Sequence, residues 1–426
     1  MEPTASAYVA NTRLADYDVT AQPWIVQNNV VRVSQVKSRF EGRFFYGLNN
    51  DFWQPAKNVN GTRIYNAQEN GVNIGIGSTA GDAYYDITKN VFFYQPDTVI
   101  HAATAIVMGT DAGVRRLWGI GTYSGGDIQD GFFIRSEGTE IQFVKRSSVS
   151  GTPVEFVHPR SQWIDPADGT GYSGLKLDFD SIQMLEITFA WYGAGTAFLM
   201  ARVDGKTYVL DKFSGSNNGT QTAIIANPNV SVIYGVEALE DLPGPVEFPH
   251  WGVSVSVDGA NEETGKAFGV TSGPKTVTGG AWTPVLSIRL KSTFAIDGAT
   301  PKPNLLGYIT RLISSCYSTG RDSEIALVRS TALTGAVWAD IPDINGVGVT
   351  DSMVEYDISA TAYSAGLITY PRAVADGNNI EIHVLEQDII AIDSLNTAST
   401  ILSLAARPTA GGNAKINGAF SWREVY

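Results

Sequence analysis

The alternation of hydrophobic and polar residues is clearest between Met184 and Phe213. From Leu185 to Trp191 every second residue is large and apolar, which is the period of a strand with one buried face. A Tyr-Gly-Ala-Gly turn ends this run, and Asp204-Gly205 is a strong signal for a two-residue hairpin. The pattern predicts three consecutive antiparallel strands. Such a meander needs a second apolar layer, so we expect it to be the middle of a sandwich or jelly roll.

Short strand-like segments with turn residues between them recur along most of the chain. They predict an all-β protein with two antiparallel β-sandwich or jelly-roll domains. The breakers Leu242-Pro243-Gly244-Pro245 mark the clearest boundary. We therefore expect an extended arm over residues 1–38, a jelly roll over 39–242 and a second sandwich over 250–426, with Trp251 to Val257 as the first strand of the second. Helix is scarce, and the best candidate is Ile389 to Leu395.

The first 38 residues have weak periodicity and no core of their own. Ordering such an arm costs on the order of 1–2 kcal/mol per residue, which contacts with neighbouring subunits would offset. We therefore expect a homo-oligomer tied by its arms, most simply a trimer. The residues expected to anchor the arm are spaced too irregularly to form one face of a helix. They are Tyr8, Leu14, Tyr17, Trp24 and Ile25.

Composition and charge limit the classes of partner. The chain has 426 residues, 43% of them hydrophobic and 17% charged, and a formal net charge of −13. This charge argues against nucleic acid and against an anionic membrane surface. The one cysteine, Cys316, forms no intrachain disulfide, and we expect it to be buried. With no signal peptide and no apolar run of ~20 residues, we expect a soluble protein that folds in a reducing cytoplasm.

Metal and cofactor signals are weak. The histidines at positions 101, 158, 250 and 383 lack the spacing of zinc ligands, and the prolines next to His158 and His250 predict a loop position for both. The loop from Ser161 to Gly174 holds Asp165 and Asp168, which are the only candidates for a calcium site, but the D-x-D-x-D-G pattern is missing. Aspartates that cap their own turns are the favoured interpretation. We expect no cofactor.

Signals for catalysis are also weak. The chain has no G-x-S-x-G elbow and no Walker loop. Exposed aromatic rings can bind sugars by stacking, and three tryptophans are candidates for glycan binding, although core packing is the preferred interpretation of each. These candidates are Trp53, Trp118 and Trp163.

Two regions together resemble a known group of proteins. One is the meander, IQMLEITFAWYGAGTAFLMARVDGKTYVLDKF; the other is the C-terminal series WTPVLSIRLK, ALTGAVWADI, MVEYDISATAYSAG and GAFSWREVY. The pair, over residues 90 to 426, resembles large virion structural proteins of tailed bacteriophages, which carry a concanavalin-like jelly roll followed by a smaller β domain. The resemblance implies a virion component made in the host bacterial cytoplasm. It carries no functional residues over.

This resemblance sets three expectations for function. The first is a non-enzymatic, oligomeric building block at the particle surface, neck, tail or baseplate, with itself and other virion proteins as partners. The second is a lectin-like protein that attaches the phage to host glycans. The third is a glycan hydrolase or lyase, for which Glu186 is the tempting residue because concanavalin-like folds host glycosidases. Glu186 lacks the E-x-D-x-x-E motif usual in such hydrolases, so we expect no enzyme.

Overall fold

A computed structural model describes most of the chain. It gives the backbone of residues 25–26 and 30–31, and residues 36–96, 98–217, 219, 221–258, 265–296, 299–304, 307–343, 345–348, 351–385, 390–397 and 399–425. The chain divides into two compact units, Met1–Ala260 and Asn261–Tyr426. Among the described residues the fold is all-β, and the one helical element is a 3₁₀ turn at Arg160–Gln162.

The described part of the first domain contains seventeen strands. They are β1 Ile25–Val26, β2 Val30–Val31, β3 Val36–Arg43, β4 Trp53–Val59, β5 Gly61–Asn66, β6 Gly71–Ile76, β7 Ala83–Thr88, β8 Val99–Ile106, β9 Val114–Ser124, β10 Asp127–Glu137, β11 Glu140–Ser147, β12 Val154–Pro159, β13 Gln183–Phe189, β14 Thr196–Val203, β15 Lys206–Ser214, β16 Ser231–Ala238 and β17 Val246–Asp258.

Fourteen strands are described in the second domain. They are β18 Lys266–Thr278, β19 Thr283–Leu290, β20 Thr293–Phe294, β21 Lys302–Pro303, β22 Tyr308–Thr319, β23 Ser323–Ser330, β24 Leu333–Thr334, β25 Ala339–Asp340, β26 Val354–Asp357, β27 Ala362–Tyr363, β28 Leu367–Val374, β29 Asn379–His383, β30 Ile401–Pro408 and β31 Asn413–Val425.

Two antiparallel sheets form the sandwich of the first domain. The seven-stranded sheet has the order β12-β11-β10-β9-β16-β7-β4. The eight-stranded sheet has the order β15-β14-β13-β8-β17-β6-β5, and β3 also pairs with β17. Their inner faces share one core, in which Trp53, Trp118, Phe132, Phe189 and Phe248 are buried. Aromatic side chains of this size supply much of the apolar burial that holds the sheets together.

The predicted meander is confirmed as strands, but its place in the sheet is not. β13, β14 and β15 are consecutive antiparallel partners, and Leu185, Ile187 and Phe189 are buried as the alternation predicts. Asp204 and Gly205 have φ of 50° and 74°, which fits the predicted hairpin turn. However, β15 lies at one end of the eight-stranded sheet. The prediction that the meander is the middle of the sandwich is therefore wrong.

The predicted domain boundary near Leu242 is also wrong. The structure divides the chain after Ala260, and the segment Trp251 to Val257 lies in β17 of the first domain. β17 is an interior strand, because its second half pairs with β8 on one side and with β3 on the other. Pro243 and Pro245 occupy the connection from β16 to β17. The proline-rich stretch is therefore a loop inside one domain.

The second domain is a separate sandwich, as predicted. A four-stranded sheet has the order β18-β31-β22-β29, and a six-stranded sheet has the order β25-β26-β19-β30-β23-β28. Their shared core includes Leu404, Phe420 and Trp422. The predicted helix at Ile389 to Leu395 is wrong over its described part. There, Asp393 accepts a hydrogen bond from the Leu395 amide at 3.0 Å, and a side chain that bonds its own backbone in this way favours a turn over a helix.

The predicted arm overlaps the sandwich at its C-terminal end. Val36 to Ser38 belong to β3, which pairs with β17, so residues 36–38 are not part of an arm. Tyr8, Leu14, Tyr17 and Trp24 lie outside the described residues. Ile25 is described by its backbone alone, in β1.

Candidate functional site

The outer face of the seven-stranded sheet carries a second set of buried side chains. Along β9, Trp118 and Ile120 face the core between the sheets, whereas Arg115 and Leu117 lie on the opposite face. Leu117, Phe133 and Ile233 on this outer face are buried as well. This side of the sheet is therefore covered by its own side chains instead of facing open solvent.

Glycines let two aromatic rings lie flat against this face. A Cβ added at Gly121 would lie 2.6 Å from Cζ of Phe133, and one added at Gly235 would lie 2.3 Å from Cε1 of Tyr85. Both distances are too short for a side chain at either position. Glycine in a strand interior often marks such a close approach. The two rings consequently form a low apolar floor across the centre of the sheet.

A cavity of about 290 Å³ lies above this floor. All seven strands of the sheet contribute to it, so its shape is fixed by the sheet and not by a single loop. The residues that line it are Lys57, Tyr85, Arg115, Leu117, Tyr123, Gly126, Asp127, Ile128, Phe133, Arg135, Val144, Arg146, Glu155 and Glu237. We call it the sheet cavity.

An unbroken chain of ion pairs runs around the sheet cavity. Its seven contacts join four cations to four carboxylates, at N–O distances between 2.6 and 3.4 Å. Within this series of ion pairs, every carboxylate contacts at least one cation, and each arginine contacts two carboxylates. The chain runs in the order Lys57, Glu237, Arg115, Glu137, Arg135, Glu155, Arg146 and Asp127.

The tyrosines of the sheet cavity are neutral hydrogen-bond donors. Tyr85 donates to Glu237 at 3.2 Å, and burial followed by the charge of Glu237 raises the pKa of its hydroxyl. Tyr123 donates to the carbonyl of Gly126 at 2.7 Å, and burial followed by the charge of Asp127 raises its pKa to about 12. Neither hydroxyl ionises near neutral pH, so neither is a nucleophile or base there.

The arrangement of the acids does not match a glycosidase site. Glycoside hydrolysis uses two carboxyl groups that face each other across the scissile bond. In the sheet cavity an arginine stands between each carboxylate and the next along the chain of ion pairs. Glu186, the acid singled out from the sequence, lies on β13 of the other sheet, where it pairs with Arg202 at 2.7 Å.

The three tryptophans predicted to bind glycans belong to the core. Trp53, Trp118 and Trp163 are all buried, and each packs in the cluster between the two sheets. Trp163 also donates its indole N–H to the carbonyl of His158 at 2.9 Å. No ring face of the three is available for a sugar, so the prediction of glycan stacking is wrong and the core interpretation is confirmed.

Asp165 and Asp168 cap the turns of their own loop. Asp165 is fully buried and accepts hydrogen bonds from the amides of Ala167 at 2.9 Å and Ser173 at 3.0 Å. Asp168 accepts from the Thr170 amide at 2.8 Å, and hydrogen bonding by Thr170 lowers the pKa of this carboxyl. The interpretation of both as turn caps is confirmed. Among the described residues no group of three or more His, Cys, Asp or Glu could hold a metal ion.

Two other sequence predictions can be compared with the structure. Cys316 is buried, as predicted, and burial raises the pKa of its thiol to about 12. His158 and His250 are not loop residues: each lies in a strand, and Nδ1 of His158 lies 2.7 Å from a carboxylate oxygen of Asp211. In the part of the chain that is described, no helix has the length and apolar character needed to cross a membrane.

Sequence comparison gives no family for the chain: no protein-family model and no curated protein sequence matches it. The fold defines it as a two-domain all-β protein whose first domain is a sandwich of two antiparallel sheets.

Solved structures with a similar fold include three of different kinds. The CBM2 module of the Lactobacillus casei BL23 phage J-1 evolved Dit is 10% identical, with a TM-score of 0.36, over 54% of this chain and 99% of the module. A glycoside hydrolase family 16 endo-glucanase from Bacteroides ovatus is 9% identical, with a TM-score of 0.33, over 51% of this chain and 99% of the enzyme. A legume lectin-like domain from Entamoeba histolytica is 11% identical, with a TM-score of 0.31, over 50% of this chain and 95% of that domain. Similarity at this level concerns the fold alone.

Proposed function

We propose that this protein is a non-enzymatic structural component of a tailed-bacteriophage virion that binds carbohydrate in the sheet cavity. The main observation in support of carbohydrate binding is the chain of ion pairs that lies above the aromatic rings of Tyr85 and Phe133. The virion assignment is supported by the resemblance of residues 90 to 426 to phage structural proteins and by the two sandwich domains.

A hydroxyl-rich ligand suits the wall of the sheet cavity. A guanidinium group has five N–H donors and a carboxylate has about four acceptor sites, so an arginine and its partner retain hydrogen-bonding capacity after they have paired. Sugar hydroxyls both donate and accept, and neighbouring hydroxyls match the spacing of such groups. The pairs of Arg135 with Glu155 at 3.0 Å and of Arg115 with Glu237 at 3.4 Å offer this combination in the wall of the cavity.

The ligand is an uncharged saccharide. Each charged group of the wall already has a partner of opposite sign. The ion pairs, which also include Glu137 outside the lining, join four cations to four carboxylates and so carry no net charge. A charged ligand would have to replace one of these pairs and leave the displaced group unpaired, which is costly in a partly buried site. A neutral ligand binds without that exchange.

Binding without turnover follows from the same arrangement. A general acid needs an environment that keeps it protonated, and a pair of acids must flank the bond to be cleaved. In the sheet cavity each carboxylate instead contacts arginine or lysine. The proposal therefore excludes the hydrolase or lyase alternative and joins the structural and lectin-like alternatives in one protein.

A glycan array followed by calorimetry tests the proposal. The protein is expected to bind at least one neutral oligosaccharide, with a Kd in the micromolar to millimolar range typical of a small polar site. Arg135→Met should weaken binding at least tenfold because it removes contacts to both Glu137 and Glu155. Arg289→Met is the control, since Arg289 pairs with Glu355 in the second domain at 2.6 Å.

Three results would contradict the proposal. These are the absence of binding to any glycan on the array, an equal loss of affinity in the control variant, and the release of reducing ends from the bound glycan. Mass spectrometry of purified particles tests the virion assignment separately, because a structural component must be present in stoichiometric amount.

A further inference from the structure

Strand β12 exposes apolar side chains at the edge of the seven-stranded sheet. It stands at the end of the strand order, so within the described residues no strand pairs with its outer edge. Val154, Phe156 and Val157 are exposed, with Phe156 at 46%. An uncovered apolar edge strand is a template for pairing with another strand. This edge is a second surface, distinct from the interior of the sheet cavity.

Two other edges of the sandwich are protected by comparison. β4, at the opposite end of the same sheet, contains Pro55 and a bulge between Pro55 and Lys57, and both features oppose pairing. β15, the edge of the eight-stranded sheet, is covered by the loop after β12. There the Asp165 amide donates to the Leu210 carbonyl at 2.9 Å. β12 has neither kind of protection between Val154 and Val157.

The charge at β12 favours a second copy of the chain as the partner. Copies of a protein with a net charge of −13 repel each other over most of their surface. At β12 the one acid, Glu155, is paired with Arg135 at 3.0 Å and with Arg146 at 3.4 Å. Nζ of Lys145 lies 3.9 Å from the ring centroid of Phe156. Two copies can therefore approach here without bringing unpaired negative charges together.

We propose that β12 pairs antiparallel with β12 of a second copy, about a two-fold axis perpendicular to the sheet. Residues opposite each other in an antiparallel pair lie on the same face. Because Phe156 is midway between Pro153 and Pro159, it lies opposite Phe156 of the second copy, and its exposed ring becomes buried. Pro153 and Pro159 bound the strand and confine the pairing to the residues between them, since proline has no N–H to donate.

This pairing places two sheet cavities on one surface. A perpendicular two-fold axis continues the seven-stranded sheet from one copy into the next and turns the same face of both copies outward. Glu155 belongs both to the paired strand and to the wall of the cavity. If the sheet cavity binds carbohydrate as proposed above, the dimer is bivalent and gains avidity of about 10²–10⁴ toward a repeating glycan. The dimer itself does not rest on that function.

Sedimentation equilibrium of the full chain, without carbohydrate, tests the inference. The protein is expected to be a dimer and Phe156→Asp a monomer, because two aspartates would face each other across the axis. Lys145 would still have a partner in that variant, so its fold should be retained and is checked by circular dichroism. Val59→Asp on β4 is the matched control, since Val59 is exposed to 43% on the opposite edge, and it should remain a dimer.

Crosslinking provides a second measurement. Phe156→Cys should form a disulfide-linked dimer on oxidation, and Val59→Cys should not. The only other thiol, Cys316, is buried. A monomeric or trimeric wild type, or a Phe156→Asp variant that remains dimeric, would overturn the inference. A dimer that is lost when residues 1–35 are deleted but kept in Phe156→Asp would assign the contact to the arm instead. Failure of the sheet cavity to bind sugar would leave the dimer unaffected.

Discussion

Nε of Arg63 lies 2.7 Å from a carboxylate oxygen of Asp86, and the pair joins the two sheets of the first domain from within their core. Arg63 comes from β5 and Asp86 from β7. Arg63 also donates to the carbonyl of Leu48 at 2.7 Å, which fixes the loop before β4. Burial raises the pKa of Asp86 to about 7 despite the opposing charge of Arg63. Removing only one partner of this pair should therefore lower the stability of the domain, because the other partner would stay buried without its counter-charge.

Removing Arg63 alone should destabilise the first domain. We expect Arg63→Met to lower its free energy of unfolding at pH 8 by about 3–5 kcal/mol, because an ionised carboxylate is left buried without its cation. The loss should be smaller at pH 5, where Asp86 takes up a proton more readily. Urea titration measures both values. The double variant Arg63→Met/Asp86→Leu should recover most of the loss; an equally unstable double variant would show that the pair is not the cause.

The buried imidazole of His250 should make stability depend on pH. Its ring stacks on Tyr234 at a centroid distance of 4.0 Å, and burial followed by the charge of Arg63 lowers its pKa to about 3. The unfolded chain binds a proton here below about pH 6.5 and the folded chain does not. This contribution to stability is therefore complete above pH 6.5 and is lost as the pH falls toward 3.

Comparison with His250→Phe isolates this contribution. Between pH 7 and pH 4 the wild-type protein should lose about 3 kcal/mol more of its unfolding free energy than the variant does, since one pKa unit corresponds to about 1.4 kcal/mol. His383→Phe, at an exposed histidine of the second domain, is the control. Parallel pH profiles for wild type and His250→Phe would refute the prediction.

The position of β17 makes a prediction about fragments. A fragment of residues 1–260 should fold alone, whereas one of residues 1–242 should not, because it lacks an interior strand of the eight-stranded sheet. Circular dichroism and a cooperative thermal transition distinguish the two. A stable 1–242 fragment would restore the boundary expected from the prolines.

The turn at Gly205 depends on its backbone conformation alone. A Cβ there would meet no atom within 4 Å, but the φ of 74° disfavours a β-branched residue. Gly205→Val should therefore cost roughly 1–2 kcal/mol. Gly244→Val is the control, because Gly244 is equally open and its φ is not positive. Equal melting temperatures in the two variants would exclude the type I′ turn.

Local patterns predicted the local structure of this chain and failed where distant segments meet. The alternation at Leu185 and Ile187 lies within one strand, and it correctly predicted that both side chains are buried. Pro243 and Pro245 indicate that a strand ends near them. A proline does not indicate whether the next strand belongs to the same domain or begins a new one. Periodicity also left open whether Trp53 and Trp118 face the core, although it indicated that one face of each strand is buried.

The sheet cavity could not be predicted for a related reason. Its ion pairs join residues far apart in sequence, as with Lys57 and Glu237, which are 180 positions apart. No spacing rule applies over such a distance, and single charged residues in strands are ordinary. The usable signal was the set of glycines on β9, β10 and β16, since glycine in a strand interior points to a close approach above it.

The topology of β17 also has a consequence for synthesis on the ribosome. β17 pairs with β3, β6 and β8, all of which are made much earlier. In the nascent chain, β3, β6 and β8 cannot pair with β17 until residue 258 has left the exit tunnel. By then the ribosome has already translated the start of the second domain. Closure of the first sandwich and synthesis of the second therefore overlap in time, and chaperones that bind exposed strands have their longest opportunity in this interval.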